Sequence, residues 1–150
     1  MTSRLRGWAA VLVAAALVAP LSACGDPVQA YCGDLQDNRE KLSQIINGGS
    51  PTALIDNLTL LKKIAGRAPN DLTDEWQTFI NAIEDLDQAL HDAHVDPAAY
   101  HDGRPPPGLT RSQRREVADA ATQLASPQVV SAADGIVQEA RDVCHLDLEL

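Results

Sequence analysis

The apolar residues between positions 72 and 90 recur at a spacing that restricts this stretch to one kind of secondary structure. They are separated by alternating steps of four and three: Leu72, Trp76, Phe79, Ile83, Leu86 and Leu90. This spacing places all six along one side of an α-helix, whereas a strand would need alternation at every second residue. Such a helix is stable when neighbouring elements cover its apolar side. No other segment alternates like a strand, so the sequence predicts an all-α fold.

Helix starts are marked elsewhere by a capping residue followed by proline. The pairs Asp26-Pro27, Ser50-Pro51 and Ser126-Pro127 each combine a good N-cap with proline at the first helical position. The five expected helices are Val28 to about Asn47, Pro51 to Ala65, the segment around 72–90, about Thr110 to Ala125, and Pro127 to about Cys144. Only 3% of the residues are aromatic, which suits closely packed helices built from small side chains. We expect a small helical bundle of four to five helices.

The inward faces of the last two helices follow from the same periodicity. The expected inward residues are Val117, Ala121 and Leu124 in the fourth helix, and Val130, Ala133, Val137, Ala140 and Cys144 in the fifth. Residues 96–108 form the one long connection between helices, with three consecutive prolines and two glycines. Proline and glycine disfavour helix there, so we expect an irregular, partly extended loop.

The first 23 residues have the organisation of a secretory signal peptide. Arg4 and Arg6 precede the apolar run GWAAVLVAAALVA, and small residues follow at Ser22 and Ala23. The run is shorter than the ~20 residues that a transmembrane helix needs. We therefore expect residues 1–23 to be removed and residues 24–150 to form a single domain.

The last residues of this segment, Leu21-Ser22-Ala23-Cys24, resemble the lipobox of bacterial lipoproteins. The resemblance implies that the Cys24 thiol receives a diacylglyceryl group with acyl chains such as palmitate, and that cleavage precedes Cys24. Two acyl chains give stable membrane attachment, whereas one is only a marginal anchor. The expected location is extracytoplasmic, anchored to the cell membrane by lipid. The alternatives are an ordinary signal peptide with a coincidental cysteine, or an uncleaved anchor.

Two further cysteines, Cys32 and Cys144, lie 112 positions apart near the two ends of the expected domain. Outside the cytoplasm disulfides persist, so we expect these two to be bonded. Two buried free thiols, or a reactive cysteine beside His145, are the alternatives.

The wider pattern resembles a group of small secreted actinobacterial lipoproteins. The matching residues are Tyr31-Cys32, Ala68-Pro69-Asn70-Asp71 through Trp76, and Ser126-Pro127 through Cys144-His145-Leu146-Asp147-Leu148. His145 departs from this pattern, because the group has glycine after the last cysteine. The resemblance implies a small helical bundle with paired terminal cysteines, and no established activity.

Charge argues against some partners. The whole chain carries a net charge of -9, and residues 1–23 contain two arginines and no acid, so the part from Cys24 onward carries -11. An acidic surface repels phosphate backbones, which argues against nucleic acid. The one basic cluster is Arg104, Pro105, Pro106, Pro107, Arg111, Arg114 and Arg115. It is a candidate contact for anionic lipid or for a groove on a partner protein, the alternative being an exposed linker and helix start.

Glu84, Asp87, His91 and His94 are the candidate metal ligands, since helical spacing places them on one side of the third helix. One helix supplies ligands in poor geometry, so a solvated polar face is the alternative, and we expect no metal or cofactor. No nucleophile elbow or catalytic triad pattern is present. The sequence favours a non-catalytic binding protein of the cell envelope, whose partner is an envelope protein, a cell-wall component or a small apolar ligand. The alternative is a metal- or carboxylate-dependent envelope enzyme.

Overall fold

The computed structural model describes residues 26–47, 52–100 and 104–148, and these form an all-α fold, as predicted. The described part contains seven α-helices: α1 Pro27–Asp37, α2 Arg39–Asn47, α3 Ala53–Asp56, α4 Leu58–Ala65, α5 Thr73–Asp92, α6 Arg111–Leu124 and α7 Pro127–Asp142. Two 3₁₀ turns, Asn70–Leu72 and Pro97–Ala99, precede and follow α5. The predicted signal peptide 1–23, Cys24 and the pair Ser50-Pro51 lie outside the described residues.

Side-chain caps begin three of the helices. Asp26 Oδ1 accepts a hydrogen bond from the backbone N–H of Val28 at 3.0 Å, and Pro27 opens α1. Ser126 Oγ accepts from the N–H of Val129 at 3.4 Å at the start of α7. Thr110 and Gln113 form a reciprocal capping box on α6. The caps predicted for the first and last helices are therefore confirmed.

The structure contains more helices than the sequence predicts, because two predicted helices are each broken at an asparagine. Asn38 separates α1 from α2, and Asn57 separates α3 from α4. Both residues have φ near -110° and ψ near 10°. Each side-chain amide donates to the carbonyl four residues earlier, Asp34 or Ala53, at 2.7 Å. A side chain that bonds locally to the backbone competes with the regular helical pattern, which explains both breaks.

Helix α5 is the centre of the bundle and contacts α3, α4, α6 and α7. Its first half lies in the main core, where Trp76, Ile80 and Ile83 pack with residues of α1, α4 and α7. Its last turn lies in a second, smaller cluster, where Leu90 and Ala93 pack with Val117 of α6. The predicted helical stripe from Leu72 to Leu90 is thus the surface on which both clusters are built.

The predicted inward face of α7 is rotated by about one residue from the observed face. The buried residues are Val129, Ala132, Ile136 and Ala140, whereas Val130 is 49% exposed. Both stripes are apolar and have helical spacing, so periodicity alone cannot choose between them. Packing on α5 chooses between them, because it buries Ile136 and Ala140 of α7 in the main core. On α6, the predicted Val117 is buried and Leu124 packs partly buried against the main core, whereas Ala121 is exposed.

Residues 144–148, which we call the C-terminal segment, return along α1 and α2. Cys144 is disulfide-bonded to Cys32 of α1, with a Cα–Cα distance of 5.1 Å, as predicted. Further along, Arg39 Nε donates to the carbonyl of Asp147 at 3.0 Å, and Ser43 Oγ donates to that of Leu148 at 2.7 Å. The segment is therefore fixed to the first two helices at three successive points.

His145, within the C-terminal segment, has a φ of 55°. This left-handed conformation favours glycine, because a Cβ atom is disfavoured there.

Replacing both Cys32 and Cys144 with serine should destabilise the fold strongly. A bond that closes a loop of this length restricts the unfolded chain, and the chain-entropy model gives about 4–5 kcal/mol. The free energy of unfolding in urea, without reductant, measures the effect. Reductant should lower the stability of the unsubstituted protein to the same level and leave the double variant unchanged. Equal stability of the two proteins without reductant would contradict the prediction.

Candidate functional site

A cavity of about 460 Å³ opens between the helices on one side of the main core, and we call it the apolar pocket. Among the residues that the structure describes, every side chain that lines it is apolar: Leu35, Leu42, Ile45, Ile46, Ala53, Leu54, Leu61, Trp76, Phe79, Ala133, Ile136, Val137 and Leu148. Its volume lies within the range typical of small-molecule sites in proteins, ~300–1,000 Å³. A space of this size lined mainly by apolar atoms favours apolar occupants.

A buried hydrogen bond holds Trp76, which forms the aromatic wall of the apolar pocket. Trp76 Nε1 donates to the hydroxyl oxygen of Tyr31 at 3.0 Å, and Tyr31 is completely buried. Burial raises the pKa of Tyr31 to about 12, the nearby Glu139 charge adding to the effect, so the phenol is neutral at ordinary pH. Phe79 packs edge-on against Trp76, with ring centroids 6.4 Å apart. Because the indole N–H is already bonded to Tyr31, Trp76 offers the pocket an apolar surface.

The opening of the apolar pocket is also apolar. Ile46 at the end of α2 lines it and is 44% exposed. Val130, which is 49% exposed, lies one turn from Ala133 on the same side of α7. The stripe Val130, Ala133 and Val137 that was predicted to face the core thus borders the pocket and its opening. An apolar surface that reaches from the interior to solvent is typical of a ligand or partner site.

One wall of the apolar pocket depends on the C-terminal segment. Leu148 is buried and lines the pocket, and its carbonyl accepts the hydrogen bond from Ser43. The disulfide anchors the other end of the segment at Cys144. The bond between the two cysteines therefore contributes to the shape of the cavity as well as to stability.

The four candidate metal ligands are not brought together. Glu84 forms an ion pair with Lys62 of α4. His91 is exposed, with Nδ1 3.5 Å from Asp92 Oδ1, and Asp87 is half-buried on α5. Across residues 26–47, 52–100 and 104–148, no group of three or more histidine, cysteine, aspartate or glutamate side chains is arranged to hold a metal ion.

His94 has a structural role at the end of α5. It has a φ of 56°, its N–H donates to the carbonyl of His91, and the N–H of Val95 donates to the carbonyl of Leu90. These two bonds with one left-handed residue form a Schellman motif, in which glycine is usual at the position of His94. Val95 and Leu90 also pack in the same small cluster, as the motif requires. His94 therefore terminates the helix instead of extending its polar face.

The basic cluster lies on the surface. Arg104, Arg111, Arg114 and Arg115 are all exposed, and none forms an ion pair with another residue of the described ranges. Pro106 and Pro107 line a shallow depression together with His94 and Leu109. The 3₁₀ turn Pro97–Ala99, capped by Asp96, is regular structure that the sequence did not predict within the loop 96–108.

The sequence did not predict a second group of carboxylates, Asp71, Glu139 and Asp142. Burial raises the pKa of Glu139, and the charges of Asp71 and Asp142 raise it further. Asp142 is three residues from Glu139 on α7, whereas Asp71 is distant in sequence and lies near Glu139 only because of the fold. They do not form a set that could hold a metal ion.

The apolar pocket itself was not predictable from sequence. Its walls come from α1, α2, α3, α4, α5, α7 and the C-terminal segment. One feature of the sequence could have indicated the pocket. Helix α7 carries two adjacent apolar stripes, whereas packing against the core requires only one.

No family model, curated protein or solved structure is significantly similar to this chain. Within the described ranges, no helix combines the length and the apolar character that crossing a bilayer demands.

Substitution His94→Gly should stabilise the protein by about 1 kcal/mol, because glycine adopts the left-handed conformation without the cost of a Cβ atom. Thermal or urea unfolding measures the change. The matched control His91→Gly lies in the regular last turn of α5 and should destabilise by a similar amount. A loss of stability in His94→Gly would contradict the structural role assigned to this histidine.

Proposed function

We propose that this chain is a lipid-anchored, extracytoplasmic protein of a bacterial cell envelope that binds an apolar molecule in the apolar pocket and catalyses no reaction. The observation that carries the binding part is the cavity of about 460 Å³, whose described lining side chains are all apolar. Its opening is bordered by the exposed side chain of Ile46. Transfer of an apolar group from water to such a site is favourable by roughly 25 cal/mol per Å² of buried surface.

The lipid anchor is supported by the Leu21-Ser22-Ala23-Cys24 motif. Helix α1 begins at Pro27 with its cap at Asp26, so only Gly25 separates Cys24 from the cap, and two residue steps span at most about 7 Å. An anchor at Cys24 would hold the bundle close to the membrane surface. Since the domain is strongly acidic, attachment to the membrane through a basic face is disfavoured. Two acyl chains on one residue are sufficient for stable attachment.

The extracytoplasmic location is supported by the disulfide. Bonds such as Cys32–Cys144 persist in oxidising compartments and are rare in the cytosol of most organisms. A structural bond between the first and last helices is also what the resemblance to actinobacterial lipoproteins implies.

The alternative, a metal- or carboxylate-dependent enzyme, has less support. It would need Glu84, Asp87, His91 or His94 to converge with polar groups of other helices. In the structure Lys62 pairs with Glu84, and His94 ends α5 through its backbone conformation.

Substitution Cys24→Ser should abolish membrane attachment, because only a thiol can form the thioether to the diacylglyceryl group. The variant should accumulate either as an unprocessed precursor or in the soluble fraction, as fractionation and intact-mass measurement can establish. Cys32→Ser is the matched control, since it removes a thiol without touching the lipobox, and it should remain in the membrane fraction. Recovery of a processed Cys24→Ser protein in the membrane would argue against the anchor.

Substitution Ala133→Phe should fill the apolar pocket and weaken ligand binding about tenfold, a change of ~1.4 kcal/mol. The probe is N-phenyl-1-naphthylamine, which fluoresces in apolar surroundings and accepts energy from tryptophan. In the chain carrying Trp8→Phe, Trp76 is the sole tryptophan, and it lines the pocket.

Ala121→Phe is the matched control for this experiment. It makes the same exchange at an exposed position of α6, away from the pocket. It should leave both the probe affinity and the energy transfer from Trp76 unchanged. Equal binding by the Ala133→Phe and Ala121→Phe variants, or no binding by the parent chain, would refute the proposed pocket function.

A further inference from the structure

We infer that the disulfide between Cys32 and Cys144 controls the affinity of the apolar pocket. The oxidised protein binds an apolar ligand, whereas reduction of the bond releases the C-terminal segment and weakens binding. This inference rests on the proposed function and adds the regulation of the same site. Three features support it: the position of the bond beside the pocket wall, the contacts that hold the segment, and the accessibility of the two cysteines.

Residues that follow each cysteine form part of the pocket wall. Leu35 lies three residues after Cys32 on α1, and Leu148 lies four residues after Cys144 in the C-terminal segment. Both leucine side chains are buried and line the apolar pocket. The bond therefore joins the segment that carries Leu148 to the helix that carries Leu35. Loss of the bond would free one wall of the pocket from the other.

The other contacts of the C-terminal segment are close to balance with the cost of ordering it. They include the buried side chains of Leu146 and Leu148, the hydrogen bonds from Arg39 and Ser43, a backbone bond from Leu146 to Ala140, and the exposed ion pair of Arg141 with Asp147. An exposed ion pair contributes little. Burial of two leucines and a few hydrogen bonds are together comparable to the conformational entropy that five residues lose when they are ordered. The disulfide therefore decides whether the segment stays in place.

A small dithiol can reach the bond, because the side chains of Cys32 and Cys144 are both partly exposed. A thiolate of the dithiol attacks one of the two sulfurs and forms a mixed disulfide, and its second thiol then displaces the remaining protein sulfur. The dithiol becomes a disulfide, and two electrons and two protons convert the two cysteines to thiols. The reverse exchange, with an oxidised dithiol as the oxidant, restores the bond and the pocket wall.

Probe titrations of the oxidised protein and of the protein reduced with dithiothreitol test the inference in the chain carrying Trp8→Phe. Reduction should weaken the binding of N-phenyl-1-naphthylamine about tenfold. The N–H of Leu146, which donates to the carbonyl of Ala140 at 2.8 Å, reports the position of the segment. Its hydrogen exchange should become at least about tenfold faster on reduction. Circular dichroism should show that both forms keep their helices.

Substitution Leu148→Ala separates release of the segment from a general loss of stability. It shortens the wall and leaves the bond, so the oxidised variant should already bind the probe weakly, and reduction should change its affinity by less than about threefold. Leu90→Ala is the matched control, since it makes the same exchange at a buried position of the smaller cluster, away from the pocket. Reduction should still weaken probe binding by this variant about tenfold.

Each other outcome decides against the inference or against the proposed function. Equal probe affinity of the oxidised and reduced parent, or an equal response of Leu148→Ala and Leu90→Ala to reduction, would overturn the inference and leave the proposed function intact. Loss of helical structure on reduction would also overturn it, because the whole bundle, and not the segment alone, would then depend on the bond. If the oxidised parent does not bind the probe, the proposed function itself fails.

Discussion

The packing of other helices around α5 is the constraint on which the rest of this structure depends. Both hydrophobic clusters are assembled on its apolar stripe, with Trp76 in the larger and Leu90 in the smaller. The other helices are short or broken, and helices of that length are marginal in water without tertiary contacts. Helix α7 packs against α5, and this contact buries Ile136 and Ala140 in the larger cluster. The leftover apolar stripe of α7 then becomes a wall of the pocket.

Much of the fold could be predicted from sequence because it is encoded locally. The spacing of the apolar residues predicted the helical class, and the capping residues Asp26 and Ser126 predicted the starts of the first and last helices. Both signals depend on residues within one or two turns. The breaks at Asn38 and Asn57 were missed, because an asparagine in a helical pattern is compatible with either a continuous helix or a break. The side-chain bond to the carbonyl four residues back, which decides between them, is seen only in three dimensions.

The candidate site was less predictable, for a physical reason. The residues singled out for chemistry were polar, whereas the cavity found between the helices is lined by residues that look like ordinary core. Whether such residues close into a core or leave a space depends on the rotation and separation of helices. Those quantities are set by the contacts between helices, such as those of α7 with α5, not by the periodicity of one helix. His94 is the opposite case. Its imidazole could take part in chemistry, but the residue serves the structure through its left-handed backbone conformation.

The disulfide has a consequence for how the molecule withstands proteolysis. Cys32 and Cys144 enclose the long connection between α5 and α6, whose described part, 96–100 and 104–108, contains one 3₁₀ turn and the exposed prolines Pro105 and Pro107. A single cut there would leave two fragments that are still covalently joined, and both retain the helices they contribute to the main core. Under oxidising conditions the nicked molecule would not come apart by diffusion, and reassembly of its halves would remain intramolecular.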